Sequence, residues 1–226
     1  RRVAVPDALN HTVHTAYDPP GKFIATWCAT SPVAYAYDTA GRMTAMATTR
    51  DPALADANPL SALPAGVSLS DTSHPSYPPQ LDVTRWTYDP ATGLLLAKTY
   101  ADGQGPSYSY TPEGRLATRT WARGVTTAYG YDGLGQLASV DYSDDTPDVA
   151  YTYDRLGRRL TAITQTGGSQ VSSSLFSYAG LDLVGEDQNG QYIAKASDGL
   201  GRPETLLIVP PNLAYGYYER RFQYDS

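Results

Sequence analysis

The sequence predicts an all-β fold in which antiparallel β-hairpins repeat to form a curled or spiral sheet. Seven recurring pairs consist of an aromatic residue two places before a tyrosine, and most of these tyrosines open a tight turn that contains glycine. Successive copies between Tyr88 and Tyr153 are 22, 21 and 22 residues apart, and such a regular step indicates a repeated structural unit. The seven pairs are Tyr35/Tyr37, Trp86/Tyr88, Tyr108/Tyr110, Tyr129/Tyr131, Tyr151/Tyr153, Phe176/Tyr178 and Phe222/Tyr224.

Residues 149–164 illustrate the structure expected of one unit. Val149, Tyr151 and Tyr153 alternate with smaller or polar residues, which is the period-two pattern of a half-buried strand. Asp154 and Gly157 then predict a chain reversal, because Asp accepts hydrogen bonds from backbone N–H groups ahead of it and Gly tolerates a positive φ. A second strand is predicted over residues 159–164. Each unit is therefore expected to be a β-hairpin of about 20 residues.

Further turn signals lie between the units, at Asp102-Gly103, Gly167-Gly168 and Asn189-Gly190. A reversal inside each unit and another between units predict a continuous antiparallel meander. Because one hairpin cannot bury its own apolar face, neighbouring hairpins are expected to pair. Strand twist and the rotation from one repeat to the next would curl the resulting sheet.

Residues 51–82 interrupt the repeat and are predicted to be a Pro-rich loop inserted within the array. The segment contains six prolines, and each of them removes a hydrogen-bond donor that a strand would need. The helix-favouring residues 53–63 are cut by Pro52, Pro59 and Pro64 to at most two turns, so no long helix is expected. A tolerated surface insertion is the simpler interpretation, and a binding loop is the alternative.

Composition excludes several functional classes. The 226 residues include 19 Tyr but only 3 Phe and 2 Met, so tyrosine rings must supply much of the buried surface. The net charge of −6 offers no basic field for a phosphate backbone, which disfavours nucleic acid as a partner. The longest apolar runs are far shorter than a membrane span, and the single cysteine cannot form an internal disulfide.

Both ends of the chain fall inside repeat-like sequence. The first residue is an arginine, and the last three, Tyr224 to Ser226, match the beginning of another turn motif. Repeat arrays normally end in atypical capping units. The expectation is that residues 1–226 are one array truncated at both ends, and that the remainder of a longer chain is its partner.

The side chains that could carry chemistry do not assemble into a recognisable site. His11, His14 and His74 are the metal candidates, but they and the lone Cys28 do not make a zinc ligand set. Cys28 is expected to be a small apolar residue rather than a nucleophile. The densest acidic cluster could hold Ca²⁺ but lacks the spacing of a known calcium loop, so a solvated turn between repeats is preferred. That cluster comprises Asp141, Asp144, Asp145 and Asp148.

No catalytic, cofactor-binding or metal-ligating residue is therefore predicted, and the segment is not expected to be an enzyme. The repeated aspartates occur where the turn needs them. The arginines that recur beside the turn glycine are expected to pair with a repeat Asp or to stack on a tyrosine of the adjacent hairpin. These arginines are Arg42, Arg115, Arg158 and Arg202.

The Tyr-Asp-x-x-Gly-Arg-Leu pattern resembles the YD repeat of the Rhs family. The motif is carried by residues 37–43, 131–137 and 153–160, and by the longer variant at residues 88–95. The family includes shell-forming subunits of insecticidal Tc toxins, wall-associated bacterial proteins and teneurins. Its members are large, often secreted or on the bacterial surface, and their repeats wind into a hollow shell that can enclose a C-terminal toxin. The signature associated with the shell's plug and self-cleaving region is not found in this sequence.

The resemblance implies a structural scaffold, a section of shell wall that encloses or displays another domain, secreted or on the cell surface. The alternative function is a module that binds carbohydrate or a cell-surface partner through exposed tyrosines. The position of the rings separates the two hypotheses. Tyrosines that are mostly exposed on one open face would favour binding, whereas tyrosines buried between neighbouring strands would favour the scaffold.

Overall fold

The computed structural model describes residues 4–6, 8, 12–28, 32–49, 51, 57–212 and 216–224. These residues form 18 β-strands and one short 3-10 helix, Pro59–Ala62. The chain divides into two units. Unit 1 comprises residues 1–114 and 120–123, and unit 2 comprises residues 115–119 and 124–226. No helix in the described part of the chain is long and apolar enough to cross a membrane.

The strands of unit 1 pair antiparallel in chain order, each with the strand that follows it. The strands are β1 (Ala4–Pro6), β2 (Thr12–Tyr17), β3 (Phe23–Trp27), β4 (Val33–Tyr37), β5 (Met43–Thr49), β6 (Leu81–Tyr88), β7 (Leu95–Thr99) and β8 (Ser107–Tyr110). In β5 and at the start of β6 buried residues alternate with half-buried ones, as strands with one more protected face require.

Unit 2 continues the same pattern from β9, whose last residue belongs to unit 1, and its strands again pair antiparallel in chain order. The predicted fold class, an all-β array of antiparallel β-hairpin repeats, is therefore confirmed. The strands are β9 (Leu116–Thr120), β10 (Thr126–Tyr131), β11 (Leu137–Tyr142), β12 (Asp148–Tyr153), β13 (Arg159–Thr166), β14 (Ser169–Ala179), β15 (Asp182–Gln188), β16 (Gln191–Ser197), β17 (Pro203–Val209) and β18 (Tyr218–Arg221).

A β-bulge accompanies the tyrosine at the end of the first strand of the hairpin. In the β4–β5 hairpin Ala36 pairs with Ala45, but Tyr37 pairs with Met43, so Thr44 is an extra residue on the second strand. The same shift occurs at Tyr17, Tyr88, Tyr131, Tyr153 and Tyr178. Bulges increase the local twist and re-aim side chains. The bulge therefore influences the direction of the tyrosine side chain that lies just before the turn.

The largest buried cluster lies in unit 1, where the segment between β5 and β6 covers a face rich in alanine. Ala25, Ala34, Ala45 and Ala47 are fully buried on β3, β4 and β5, and Leu69 of the covering segment packs against them. The 3-10 helix begins after Asn58, whose side chain accepts a hydrogen bond from the backbone N–H of Leu60. Small alanines leave room for a covering layer, and the apolar residues of the segment fill it.

The sequence predicts a Pro-rich surface loop over residues 51–82, and the structure differs from this prediction in two respects. Leu81 and Asp82 already belong to β6. Within the described residues of the segment, Pro59 and Leu69 are buried. In unit 2, by contrast, buried described residues are few, namely Thr127, Val140 and Gly185. Half-buried side chains must therefore hold the hairpins of unit 2 together.

Candidate functional site: the hairpin-turn ladder

The turn of the β12–β13 hairpin shows how the repeat motif closes a strand. The backbone N–H of Asp154 donates to the carbonyl of Arg158 at 2.9 Å, and the N–H of Gly157 donates to the carbonyl of Asp154 at 3.0 Å. The Asp154 Oδ1 also accepts from the N–H groups of Leu156 and Arg158, at 2.8 and 2.9 Å. Gly157 has a φ of +80°, which is why glycine occupies this position.

The same bonds recur in other turns. The Oδ1 atom of Asp18, Asp38, Asp132 and Asp198 accepts from the backbone N–H four residues ahead, at 2.5 to 3.0 Å. In three of the turns a leucine lies two residues after the aspartate, and its backbone N–H donates to the carboxylate. The leucine side chain takes no part in this bond and is exposed, as at Leu134, Leu156 and Leu200. The repeated aspartates are thus turn residues, as the sequence predicts.

The arginine after the turn glycine pairs with the aspartate that opens the turn. Arg158 Nε donates to Asp154 Oδ2 at 2.6 Å. Arg42 pairs with Asp38 and Arg202 with Asp198 in the same way, both at 2.7 Å. The turn that holds Arg115 begins with Thr111 in place of the aspartate.

These hydrogen bonds lower the pKa of the carboxyl groups of Asp38, Asp154 and Asp198. For Asp198 the largest cause is the backbone N–H of Arg202, followed by the Arg202 side chain. For Asp154 partial desolvation would raise the pKa, but the side-chain and backbone hydrogen bonds from Arg158 outweigh it, so the pKa lies below its ordinary value. The carboxylates are therefore held ionised as structural acceptors.

The arginine or lysine side chain that follows the turn glycine also lies over the tyrosine ring of the next hairpin. The Arg158 guanidinium is 4.4 Å from the ring centre of Tyr178, and the Arg42 guanidinium is 4.5 Å from that of Tyr88. The remaining contacts are Arg202 over Tyr224 at 4.4 Å, Arg115 over Tyr131 at 5.5 Å and Lys22 over Tyr37 at 3.7 Å. The two partners predicted as alternatives for these arginines, a repeat Asp and a neighbouring tyrosine, are both used by Arg42, Arg158 and Arg202.

The tyrosine hydroxyl forms a third link between neighbouring hairpins. It donates to the backbone carbonyl of the residue that begins the second strand of the preceding hairpin. The Tyr153 hydroxyl, for example, donates to the carbonyl of Leu137 at 2.8 Å. The other donor–acceptor pairs are Tyr88 to Met43, Tyr110 to Leu95, Tyr131 to Leu116, Tyr178 to Arg159 and Tyr224 to Pro203, at 2.8 to 2.9 Å.

Aspartate, arginine and tyrosine together form what we call the turn ladder. A rung consists of the carboxylate of one turn, the cation that it holds, and the tyrosine of the next hairpin. Most of the tyrosines are half-buried, including Tyr88, Tyr110, Tyr131, Tyr153 and Tyr178, whereas Tyr224 near the end of the chain is exposed. Burial raises the pKa of Tyr110, with a further contribution from Tyr108. Rings and hydroxyls are thus engaged in contacts between hairpins.

The predicted metal and nucleophile candidates are dispersed. His11 lies outside the described residues. The His14 ring stacks on Trp27 with centroids 5.3 Å apart, and the Nδ1 of His74 accepts from the backbone N–H of Ser76 at 3.1 Å. Cys28 is half-buried and has no disulfide. The described residues contain no group of three His, Cys, Asp or Glu side chains that could hold a metal ion.

The acidic cluster between β11 and β12 serves local structure. Asp148 Oδ1 accepts from the backbone N–H of Tyr142 at 2.7 Å, and Asp144 Oδ1 accepts from that of Thr146 at 3.2 Å. Asp141 Oδ2 accepts from the hydroxyl of Ser139 at 2.9 Å. These bonds match the turn between repeats that the sequence favours over a calcium site.

Two parts of the ladder were not foreseen. Lys22 occupies the arginine position of the first turn, and its ammonium group donates to the carbonyl of Gly41 at 2.6 Å while lying over Tyr37. The acceptor of each tyrosine hydroxyl was also missed. The regular repeat spacing is the sequence signal that could have identified this acceptor. Donor and acceptor are 15 or 16 residues apart in the repeats around Tyr110, Tyr131 and Tyr153.

Comparison with known proteins identifies the fold. No family model and no curated protein matches the sequence. Among solved structures, a crystal structure of TcdB2-TccC3-Cdc42 aligns with 95% of this chain at 14% identity and a TM-score of 0.55. A crystal structure of TcdB2-TccC3-TEV aligns with 99% of the chain at 16% identity and a TM-score of 0.51.

The aligned region is a small part of those proteins, since this chain covers 13% of the first solved chain and 15% of the second. At such low identity the similarity concerns the fold. Repeated hairpins with a Tyr-Asp-x-x-Gly-Arg turn are what the sequence led us to expect of a YD-repeat segment. The fold that the resemblance to the YD repeat predicts is thus confirmed, since this chain shares it with the TcdB2-TccC3 structures.

Proposed function

We propose that this chain is a section of a β-shell wall, a structural scaffold within a larger protein that encloses or displays another domain. The turn ladder is the observation that carries the proposal. It uses the recurring Tyr, Asp and Arg side chains to join one hairpin to the next, which leaves little of the motif for recognising a ligand. Repeats that contact only their neighbours build extended walls in this way.

The proposal includes a non-catalytic role for the segment. The carboxylates most abundant in the repeat already accept two or three hydrogen bonds from their own turns, as at Asp154 and Asp198. A general base or nucleophile needs a free lone pair directed at a substrate. The chemistry of the motif therefore favours rigidity over reaction.

By the family resemblance, the enclosed domain would be a toxin at the C-terminal end of the same longer chain, and the protein would be secreted or on the bacterial surface. Limited proteolysis of that longer protein tests enclosure. In the wild type we expect the domain that follows the array to resist trypsin. In a triple variant that removes ladder hydroxyls, Tyr131→Phe, Tyr153→Phe and Tyr178→Phe, the domain should be cleaved faster.

A control variant removes the hydroxyl of Tyr217, which is exposed and lies outside the ladder. Tyr217→Phe should leave the cleavage rate unchanged. Equal cleavage of the domain with and without the repeat array would contradict enclosure.

Binding of carbohydrate or a cell-surface partner is the second candidate. The exposed tyrosines that could serve it are concentrated near the end of the chain, namely Tyr192, Tyr217, Tyr218 and Tyr224. A glycan array probed with the purified chain tests this function. Retention of a sugar that is lost in Tyr218→Ala but kept in Tyr129→Ala would favour binding through these terminal rings over the scaffold alone.

A further inference from the structure

The segment that interrupts the repeat forms a pocket with the sheet of unit 1. A cavity of about 330 Å³ lies between this segment, β6 and the connection after β7. Its lining includes His74, Tyr77, Leu81, Val83, Arg85 and Tyr100. Small-molecule sites have volumes from about 300 to 1,000 Å³ and combine apolar walls with a few polar groups, so this cavity has a suitable size and lining.

The strand pattern explains why a charged group faces the cavity. Leu81, Val83 and Arg85 alternate along β6 and therefore share one face of the sheet. Leu81 and Val83 are buried beneath the covering segment, whereas Arg85 lies farther along the strand and is half-buried. Tyr77 is fixed beside them, because its hydroxyl donates to the carbonyl of Leu69 at 3.0 Å.

Of the described residues that line the pocket, Arg85 is the one that carries a formal charge at neutral pH. The Arg85 side chain forms no hydrogen bond or ion pair with another described residue, and its backbone pairs with Ala45 and Thr99 in the sheet. Burial raises the pKa of Tyr77, and the positive charge of Arg85 partly opposes that effect. The nearby Asp102 is engaged in its own turn, where Oδ1 accepts from the N–H of Gln104 at 2.9 Å.

We propose that this pocket binds a small organic carboxylate, with the carboxylate on the guanidinium of Arg85 and a ring-sized body against Tyr77 and Tyr100. A half-buried cation is stabilised by a bidentate carboxylate, which matches the planar donors of arginine. Tyr100 is 41% exposed at the mouth of the pocket and offers a ring face. The site lies apart from the turn ladder, so it adds a binding function to the scaffold.

Calorimetric titration of the purified chain with matched acids and amides tests the proposal. The pairs are benzoate with benzamide, and glucuronate with glucuronamide. Since a hydrogen bond to a charged group contributes about 1.5–3 kcal/mol, at least one acid should bind about tenfold tighter than its amide, or more. A preference for benzoate would indicate a flat ring as the ligand body, and a preference for glucuronate a saturated ring.

Three variants complete the test. Arg85→Gln should abolish the difference between acid and amide, whereas Arg155→Gln, at an exposed turn of unit 2, should preserve it. Tyr100→Ala provides an independent readout if Arg85→Gln does not fold, because this exposed side chain can be removed with little effect on the melting temperature. It should weaken the binding of the preferred acid. The proposal is overturned if neither acid binds at millimolar concentration, if acid and amide bind equally, or if both pocket variants retain full affinity.

Discussion

At the scale of single residues, two glycines in one turn have different roles. Gly135 has a φ of +81°, and a Cβ added to it would lie within 3 Å of the Arg115 guanidinium. Gly133, two residues earlier, has open space around it and no positive φ. We expect Gly135→Ala to destabilise the protein by about 1–2 kcal/mol, because a left-handed conformation is unfavourable for alanine.

Gly133→Ala is the matched control and should change stability by less than about 0.5 kcal/mol. Urea unfolding of both variants, followed by circular dichroism, measures the difference. Equal effects of the two substitutions would show that the turn geometry assigned to Gly135 is wrong.

The turn carboxylate of Asp198 makes stability depend on pH. The pKa of Asp198 is lowered in the folded state, so the folded form holds the proton less tightly than the unfolded form does. The resulting stabilisation is fully present above the ordinary pKa and is lost as the pH falls through the lowered one. Asp198→Asn should therefore lower Tm at neutral pH, and the difference from wild type should shrink below about pH 4.

Thermal melts of wild type and Asp198→Asn from pH 7 to pH 2 measure this difference. Asp145→Asn, in the exposed connection between β11 and β12, controls for the loss of a carboxylate outside the ladder. A difference between wild type and Asp198→Asn that stays constant down to pH 2 would contradict ionic stabilisation of the turn.

At the scale of elements, the tyrosine hydroxyl couples one hairpin to the previous one. Tyr153→Phe keeps the ring but removes the donor to the Leu137 carbonyl, and it should reduce the free energy of unfolding by about 0.5–1.5 kcal/mol. Tyr217→Phe removes a hydroxyl from a side chain that is 67% exposed and should be neutral. Chemical denaturation of the two variants compares them, and equal stability would mean that the hydroxyls do not join the hairpins.

The elements that the sequence predicts well are those governed by local chemistry. Alternation around Tyr151 and Tyr153 identified a strand, and Asp154 with Gly157 identified its turn, because both signals act within a few residues. The link from Tyr153 to the Leu137 carbonyl was not predicted, since it depends on the register between hairpins. The sequence identified the two possible partners of the arginines, a turn aspartate and a neighbouring tyrosine. It did not predict that one arginine would contact both, because this depends on where the tyrosine ring of the next hairpin lies.

The covering segment shows the limit of sequence patterns. Six prolines predict a break in the repeat, in the part of the chain that lies between β5 and β6. They did not indicate that Leu69 would pack on four alanines from three different strands. The burial of Leu69 results from a complementarity of volumes over long sequence separations, which no period in the sequence reveals. The pocket at Arg85 was missed for the same reason.

At the scale of the whole chain, both units contain the turn ladder, but they differ in the buried core that accompanies it. Unit 1 has the covering segment and a cluster of buried alanine, leucine and valine side chains. In unit 2 few of the described side chains are fully buried, and the cation–π contacts and hydrogen bonds of the ladder recur from hairpin to hairpin. Core substitutions should therefore have local effects, as expected when each repeat depends mainly on its neighbours.

Leu69→Ala tests this difference. Leu69 is 4% exposed, and truncation of a buried leucine costs about 2–5 kcal/mol, so unit 1 should be strongly destabilised. Hydrogen exchange followed by mass spectrometry should show lost protection in β3, β4, β5 and β6, while β12 to β16 keep theirs. The exposed Leu156→Ala serves as the control and should change protection in neither unit. Equal loss of protection in both units after Leu69→Ala would instead mean that the array unfolds as one cooperative body, with the covering segment as its common support.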